Sequence, residues 1–280
     1  MAGNVKVGNR KNLLTRLQAI EYITAQNLDR RAFEVLNGIM VVPGSIGGWR
    51  TEAVQRAGGY TSETIVEDAD LTVSIIREGY KVIYEPAAHA FTEAPETIPQ
   101  WMRQRLRWHF GMLQTAWKHK SAALERRAVG LISIPDLVLF GAVFSVFAPI
   151  ADIVMLINLY SLAGQLLTEP ALSLENTSLL VVIAYAAYLF SDLVLATIAF
   201  GLEPDEDKRL LPWVLTQRFF YRQIYWMVAL RSIARVITGR FTGWRKITRM
   251  SSIDPARTLG LSRAHGRTVS TDKVQLPERN

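Results

Sequence analysis

The chain has 280 residues, 49% hydrophobic and 20% charged, with a formal net charge of +7 and no cysteine. The lack of cysteine excludes disulfides, thiolate metal sites and cysteine nucleophiles. The four histidines (His89, His109, His119, His265) have no paired ligand spacing, which argues against a structural zinc site. The positive charge is segregated, with seven Lys/Arg between Trp101 and Ala128, none from 129 to 202, and six between Arg231 and Met250. Basic residues flanking apolar stretches fit a membrane edge rather than nucleic acid, since no nucleic-acid motif accompanies them.

In chain order, Leu13, Leu14, Leu17, Ile20 and Ile23 recur at helical spacing and predict an amphipathic helix over 12–27. The run Gly38 to Ser45 (GIMVVPGS) reads as a buried strand closed by Pro-Gly. Arg50 to Ala57 predicts a short helix stopped by Gly58-Gly59, Asp68 to Arg77 a helix stopped by Gly79, and Lys81 to Tyr84 a strand. Thr97 caps a longer helix reaching Lys118, with Pro99 in its first turn. Alternating strands and helices indicate an α/β layer domain over 1–128, with too few strands for a complete nucleotide-binding sheet. No phosphate-cradling glycine loop is present.

Residues 129–250 read as a membrane region. The segments 137–163 and 179–202 are each long enough to cross a bilayer, which takes roughly 20 apolar residues. Their connector, 164–178, has acids but no Lys or Arg, so both basic flanks are expected in the cytoplasm and the connector outside. A third apolar segment, 210–234, carries Arg218, Arg222 and Arg231 and is expected to lie at the interface or to line a polar cavity. Asp136, Asp152 and Asp192 are functional candidates because they are acids in apolar surroundings. The tail 251–280 is polar, and a flexible one is expected. The polar N-terminus carries no signal peptide, so insertion is expected to rely on the internal apolar segments.

Two clusters carry chemistry. Glu67-Asp68-Ala69-Asp70 sits where a loop turns into a helix, and the helix dipole there favours an ionised carboxylate able to accept a proton. The alternative is a helix cap with a solvated acidic turn. Gln104, Arg107 and Trp108, spaced i, i+3, i+4, share one helix face. Together they can grip a diphosphate and stack on a sugar, or lie on a membrane surface as a basic amphipathic helix. Gly44-Ser45 offers a close-approach point for an acceptor or a plain turn.

These residues resemble the family 2 glycosyltransferases that build polysaccharides processively, the cellulose, chitin, hyaluronan and poly-N-acetylglucosamine synthases. The resemblance runs from Gly3 to Arg249. Besides VEDADL (66–71) and QRLRW (104–108), it takes in GNVKVGN (3–9), VVPGS (41–45), GGY (58–60) and GWRK (243–246). It implies a GT-A-like (Rossmann-like) catalytic domain, here incomplete, followed by transmembrane helices. It also implies an inverting transfer of a hexose or N-acetylhexosamine from a UDP-sugar to a growing polysaccharide. Asp68 would be the general base with Glu67 beside it, and Gln104, Arg107 and Trp108 would hold donor diphosphate and acceptor. A Mg or Mn ion is expected for the complete enzyme, but its DxD motif would lie upstream of GNVKVGN. The chain is therefore expected to be a fragment, inactive alone, that needs a separate N-terminal half or accessory subunit. The expected setting is a bacterial plasma membrane, with the catalytic part and tail cytoplasmic. The alternative is a non-catalytic membrane channel or anchor subunit.

Overall fold

The computed structural model describes residues 1–168 and 176–239. The middle of the 164–178 connector, the GWRK motif at 243–246 and the tail 251–280 lie outside the described residues. Two strands, β1 (Ala2–Val7) and β2 (Tyr84–Thr92), pair in parallel with an irregularity between Gly3 and Asn4. Every residue of β1 is buried, including the polar Asn4 and Lys6. On its other edge, Gly3 N–H donates to Ile46 O (3.1 Å).

The expected strand over 38–45 does not form, although Ile39 and Val42 are buried as a strand would require. Pro43 has no N–H, and its neighbours' backbone groups find other partners. Val42 N–H donates to the Thr72 hydroxyl (3.0 Å), and Gly38 N–H bonds Phe33 O (2.8 Å). The strand expected at 81–84 begins only at Tyr84, because Val82 N–H is taken by the Asn37 side chain (2.9 Å).

Helices account for most of the rest. α1 (Leu13–Glu21) opens on a capping box between Asn12 and Thr15. It continues through a π-helical stretch (Tyr22–Asn27) into α2 (Leu28–Val35), past the expected end at 27. α3 (Thr51–Arg56) and α4 (Glu67–Arg77) end, as the glycines predict, at Gly58 (φ +82°) and Gly79 (φ +95°). α5 (Ile98–Lys118) carries Pro99 in its first turn.

A long helical run from Val129 to Thr168 follows, containing α6 (Ile134–Asp136) and α7 (Ser145–Thr168) joined by the π-helical Leu137–Phe144. α7 passes through Pro149 without a break, and the irregular turns lie just upstream. α8 (Thr177–Gly201) runs back. Both helices are long and apolar enough to cross a membrane, and they turn Phe140, Phe147, Ile157 and Phe190 outward. After α8 the chain is pinned to β1, since Glu203 pairs with buried Lys6 (3.3 Å) and Arg31 (2.9 Å), and Glu206 with Arg10 (2.5 Å).

The third apolar segment becomes α9 (Trp213–Thr216), a π-helical turn and α10 (Arg222–Thr238). Two of its arginines, Arg218 and Arg222, are met by carboxylates of the two apolar helices. Arg218 pairs with Asp192 and lies over the Tyr188 ring (3.6 Å to the centroid), while Arg222 pairs with Asp152. Asp152 also accepts from Gln223 (2.6 Å) and Tyr185 (2.6 Å). An arginine in apolar surroundings needs such a partner, and here the partners fasten the turn before α10 to α8 and the start of α10 to α7.

Candidate functional site

Asp68 stands in the first turn of α4, half-buried, with Glu67 exposed beside it. Its Oδ2 accepts from Gly44 N–H (3.2 Å) and its Oδ1 from Ala69 N–H (2.9 Å). The Thr72 hydroxyl, which accepts from Val42, donates to Asp68 O (2.6 Å), so the loop carrying Gly44 and Ser45 is tied to this turn. Sequence reasoning on the helix dipole expects an easily ionised carboxyl. Burial instead pushes Asp68 up, against the opposing pull of the Ala69 and Gly44 N–H bonds. A raised carboxyl is the better base once ionised.

Two residues on, Asp70 is its opposite. Its side chain is buried and accepts from His119 Nε2 (2.8 Å), Lys118 Nζ (2.8 Å) and the Thr61 hydroxyl (2.6 Å). Burial alone would raise this carboxyl, but the bonds from His119, Lys118 and Thr61 hold it well below the usual carboxylate range. Arg77 Nη1 lies 3.0 Å from His119 Nδ1 and can only donate, so Nδ1 accepts and the proton sits on Nε2, facing Asp70. Arg77 continues the chain to Ser121 (3.0 Å) and Glu125. This network locks α4 onto the end of α5.

The two motifs meet where α4 crosses α5. Gly111 lies on the face of α5 that carries Gln104, Arg107 and Trp108. A Cβ on Gly111 would stand 2.7 Å from Val66 Cγ1, so only glycine lets the start of α4 approach this closely. Ile65 N–H donates to Gln114 Oε1 (3.3 Å) one turn farther on. The start of α4 thus packs on α5 one to two turns past the QRLRW positions, at Gly111 and Gln114. Gln104 Oε1 is buried with no hydrogen-bond partner, and Arg107 is half-exposed with no ion pair, both among the described residues. Gly44 itself leaves ordinary room, since a Cβ there would lie 3.7 Å from Asp68 Oδ2. Its contribution is the N–H bond rather than space.

Sequence reasoning missed Arg105, the residue between the motif positions. It is buried, pairs with Glu21 (2.8 Å), and lies against the Trp108 ring (4.5 Å to the centroid) and the Trp101 ring (5.7 Å). Tyr221 donates to the same Glu21 and accepts from Trp101 Nε1 (2.6 Å). The facing Glu21 carboxylate keeps this guanidinium charged although burial works against it. Arg105 therefore backs the indole of Trp108 and links α5 to α1 and to the turn before α10. The pairing of Asp70 with His119 was missed for a similar reason. The two lie 49 residues apart, and no local spacing marks them.

Among the described residues no three His, Asp or Glu side chains converge as a group that could hold a metal ion. Asp152 and Asp192, candidates from sequence, are the partners of Arg222 and Arg218 and lie on the helices away from α4.

Residues 1–203 match the family described as glycosyl transferase family group 2. Similar proteins include a probable glucomannan 4-beta-mannosyltransferase 7 of Oryza sativa subsp. japonica, 33% identical over 105 residues, 38% of this chain and 18% of that protein. The probable glycosyltransferase YdaM of Bacillus subtilis (strain 168) is 33% identical over 112 residues, 40% of this chain and 27% of that protein. The chain thus matches well under a third of the length of these relatives.

Proposed function

The chain belongs to glycosyl transferase family group 2, and from that premise we propose that it forms the acceptor side of a membrane glycosyltransferase active site. Family membership implies a GT-A-like fold, to which 1–128 would contribute β1, β2 and the α4–α5 crossing. The reaction would be an inverting transfer of a hexose or N-acetylhexosamine from a UDP-sugar to a polysaccharide. The acceptor hydroxyl gives its proton to the Asp68 carboxylate as its oxygen bonds the anomeric carbon. The bond to the diphosphate breaks on the opposite side, and UDP leaves. Arg107 suits the diphosphate, because a guanidinium matches phosphate oxygens in a bidentate fork. Trp108, backed by Arg105, offers an apolar face to a pyranose ring. Gln104 has a buried amide oxygen for a sugar hydroxyl. The observation that supports this reading is the Gly111–Val66 contact, where the α5 face that carries QRLRW one turn earlier packs against the start of α4, two residues before Asp68.

The preference for a hexosyl donor leans on the printed activity of the rice relative. The alternative role, a channel or anchor subunit, draws on the charge pairs that join α10 and the turn before it to the two apolar helices. The test is incorporation from a panel of UDP-sugars by membranes carrying the protein with its natural complement. Transfer that Asp68→Asn lowers by a factor of about 100 to 10,000 fits the loss of a general base. Transfer within a few-fold of the unaltered protein would return the chain to the channel or anchor role.

A further inference from the structure

Among the described residues four Lys or Arg side chains are buried, and three of them face a carboxylate. Lys6 pairs with Glu203 (3.3 Å), Arg105 with Glu21 (2.8 Å) and Arg218 with Asp192. The fourth is Arg30 on α2. It is 8% exposed, and its hydrogen bond is a neutral one, from Nη1 to Asn27 Oδ1 (3.1 Å). No carboxylate of the described residues pairs with it. Its Nε and Nη2 have no acceptor there either, yet they are not sealed from solvent as Nε of Arg105 and of Arg218 are. Burial works against a cation held this way, because a buried charge without a counter-ion is costly.

Arg30 neighbours the candidate site. Phe33, one turn along α2, packs on the apolar cluster that holds Val42 and Tyr84. Val42 N–H in turn bonds the Thr72 hydroxyl, which bonds Asp68 O. Asp68 is near enough for its charge to favour the guanidinium, and buried Tyr22 is near enough to feel both Arg30 and Arg105. Two open donors on one edge of a guanidinium match the paired oxygens of a carboxylate or a phosphate.

We propose that Arg30 holds an oxyanion of the acceptor, a sugar carboxylate or phosphate next to the hydroxyl that Asp68 deprotonates, so that the polymer extended here is an acidic one. The proposal rests on the transferase reading of the site. In that reading Asp68 stands on the acceptor side, and the diphosphate departs from the far side of the anomeric carbon, where Arg107 suits it. A neutral acceptor would leave the Arg30 charge uncompensated.

The experiment is calorimetric titration of the full chain, in nanodiscs with its natural complement, with trisaccharides ending in glucose, glucuronate or glucose 6-phosphate. An acidic probe should bind at least about tenfold more tightly than the neutral one, the worth of one charge-assisted hydrogen bond. The tighter of the two acidic probes identifies the source of the oxyanion. Arg30→Met should lose the preference and Arg30→Lys keep part of it, with UDP affinity unchanged in both. Without ligand, Arg30→Met should melt no lower than the unaltered chain, since it removes an unpaired buried charge. Equal affinity for all three probes, or a preference that survives in Arg30→Met, would overturn the site. So would UDP affinity that falls in the Arg30 variants, which would move Arg30 to the donor, or a lowered ligand-free melt in both, which would make it structural. An acidic preference that Arg30→Met abolishes, in a chain that binds no UDP, would support the oxyanion site and count against the transferase reading instead.

Discussion

The α4–α5 contact has two ends, and they are built to opposite rules. At one end Asp70 is saturated by His119, Lys118 and Thr61, and Arg77 extends the network to Glu125. At the other end, Asp68 takes only backbone N–H bonds, Gln104 Oε1 has no partner and Arg107 no ion pair among the described residues. Two carboxyls on one helical turn are thereby pushed in opposite directions, one held as a fixed anion, the other kept basic. A closed end that sets geometry and an open end that leaves valences unused is how a rigid scaffold presents a reactive group. Polar groups buried without partners cost stability, so an open end of this kind is most simply explained by a ligand.

The comparison can be broken from either side. The largest stability loss is expected at the closed end, where Asp70→Ala leaves Lys118 and His119 facing each other without their acceptor. Removing one partner of a buried pair costs about 3–5 kcal/mol, and the partial exposure of Lys118 reduces this to about 2–3 kcal/mol. A thermal melt in detergent reads the change, and His119→Gln should fall far less than His119→Leu. A glutamine amide can donate to Asp70 and accept from Arg77, whereas leucine can do neither.

At the open end, Arg107→Ala should weaken UDP binding by about 1.5–3 kcal/mol, the worth of a charge-assisted phosphate bond, with the melting temperature nearly unchanged. Calorimetric titration with UDP checks it, and unchanged affinity would return this face to a membrane-surface role. Arg105→Leu should act differently, because its charge is met by Glu21 and its guanidinium backs Trp108. Loss of stability with acceptor KM raised more than donor KM is the expected pattern.

The smallest effect concerns topology rather than energy. By the positive-inside rule, the absence of Lys and Arg from 129 to 202 between basic flanks predicts the connector outside and Ser251 inside. The chain has no cysteine, so Ser173→Cys should react with an impermeant thiol reagent on intact cells and Ser251→Cys should not. Both positions lie outside the described residues. Labelling of the Ser251 variant from outside would mean a third crossing.

What the sequence made legible was local. Helix stops at Gly58 and Gly79, the Pro99 start of α5 and the two apolar helices all follow from neighbours within a turn. The 38–45 run misled because apolar content predicts burial, while a strand also needs a free ladder edge. Here side chains from α4 and turn bonds took those backbone groups. Arg105 stayed invisible because its partners, Glu21 and Tyr221, lie 84 and 116 residues away. Asp68, Gln104, Arg107 and Trp108 are candidates that the sequence offers, whereas the Gly111 crossing of α4 and α5 was not legible, since a glycine inside a helix carries no spacing signal.

The most direct test sets Asp68→Asn beside Asp70→Asn and measures sugar transfer and melting temperature on both at neutral pH. A carboxyl whose folded pKa is raised contributes stability below its unfolded pKa and loses it as pH rises through the folded value. Ionised Asp68 is therefore a cost at neutral pH, and the asparagine relieves it. Asp70, with its folded pKa depressed, contributes stability above its unfolded pKa that is lost only as pH falls through the folded value. The account predicts that Asp68→Asn is all but inactive yet melts no lower than the unaltered protein, while Asp70→Asn melts lower. Transfer within a few-fold of the unaltered protein in Asp68→Asn, or a melting temperature that falls together with its activity, would contradict it.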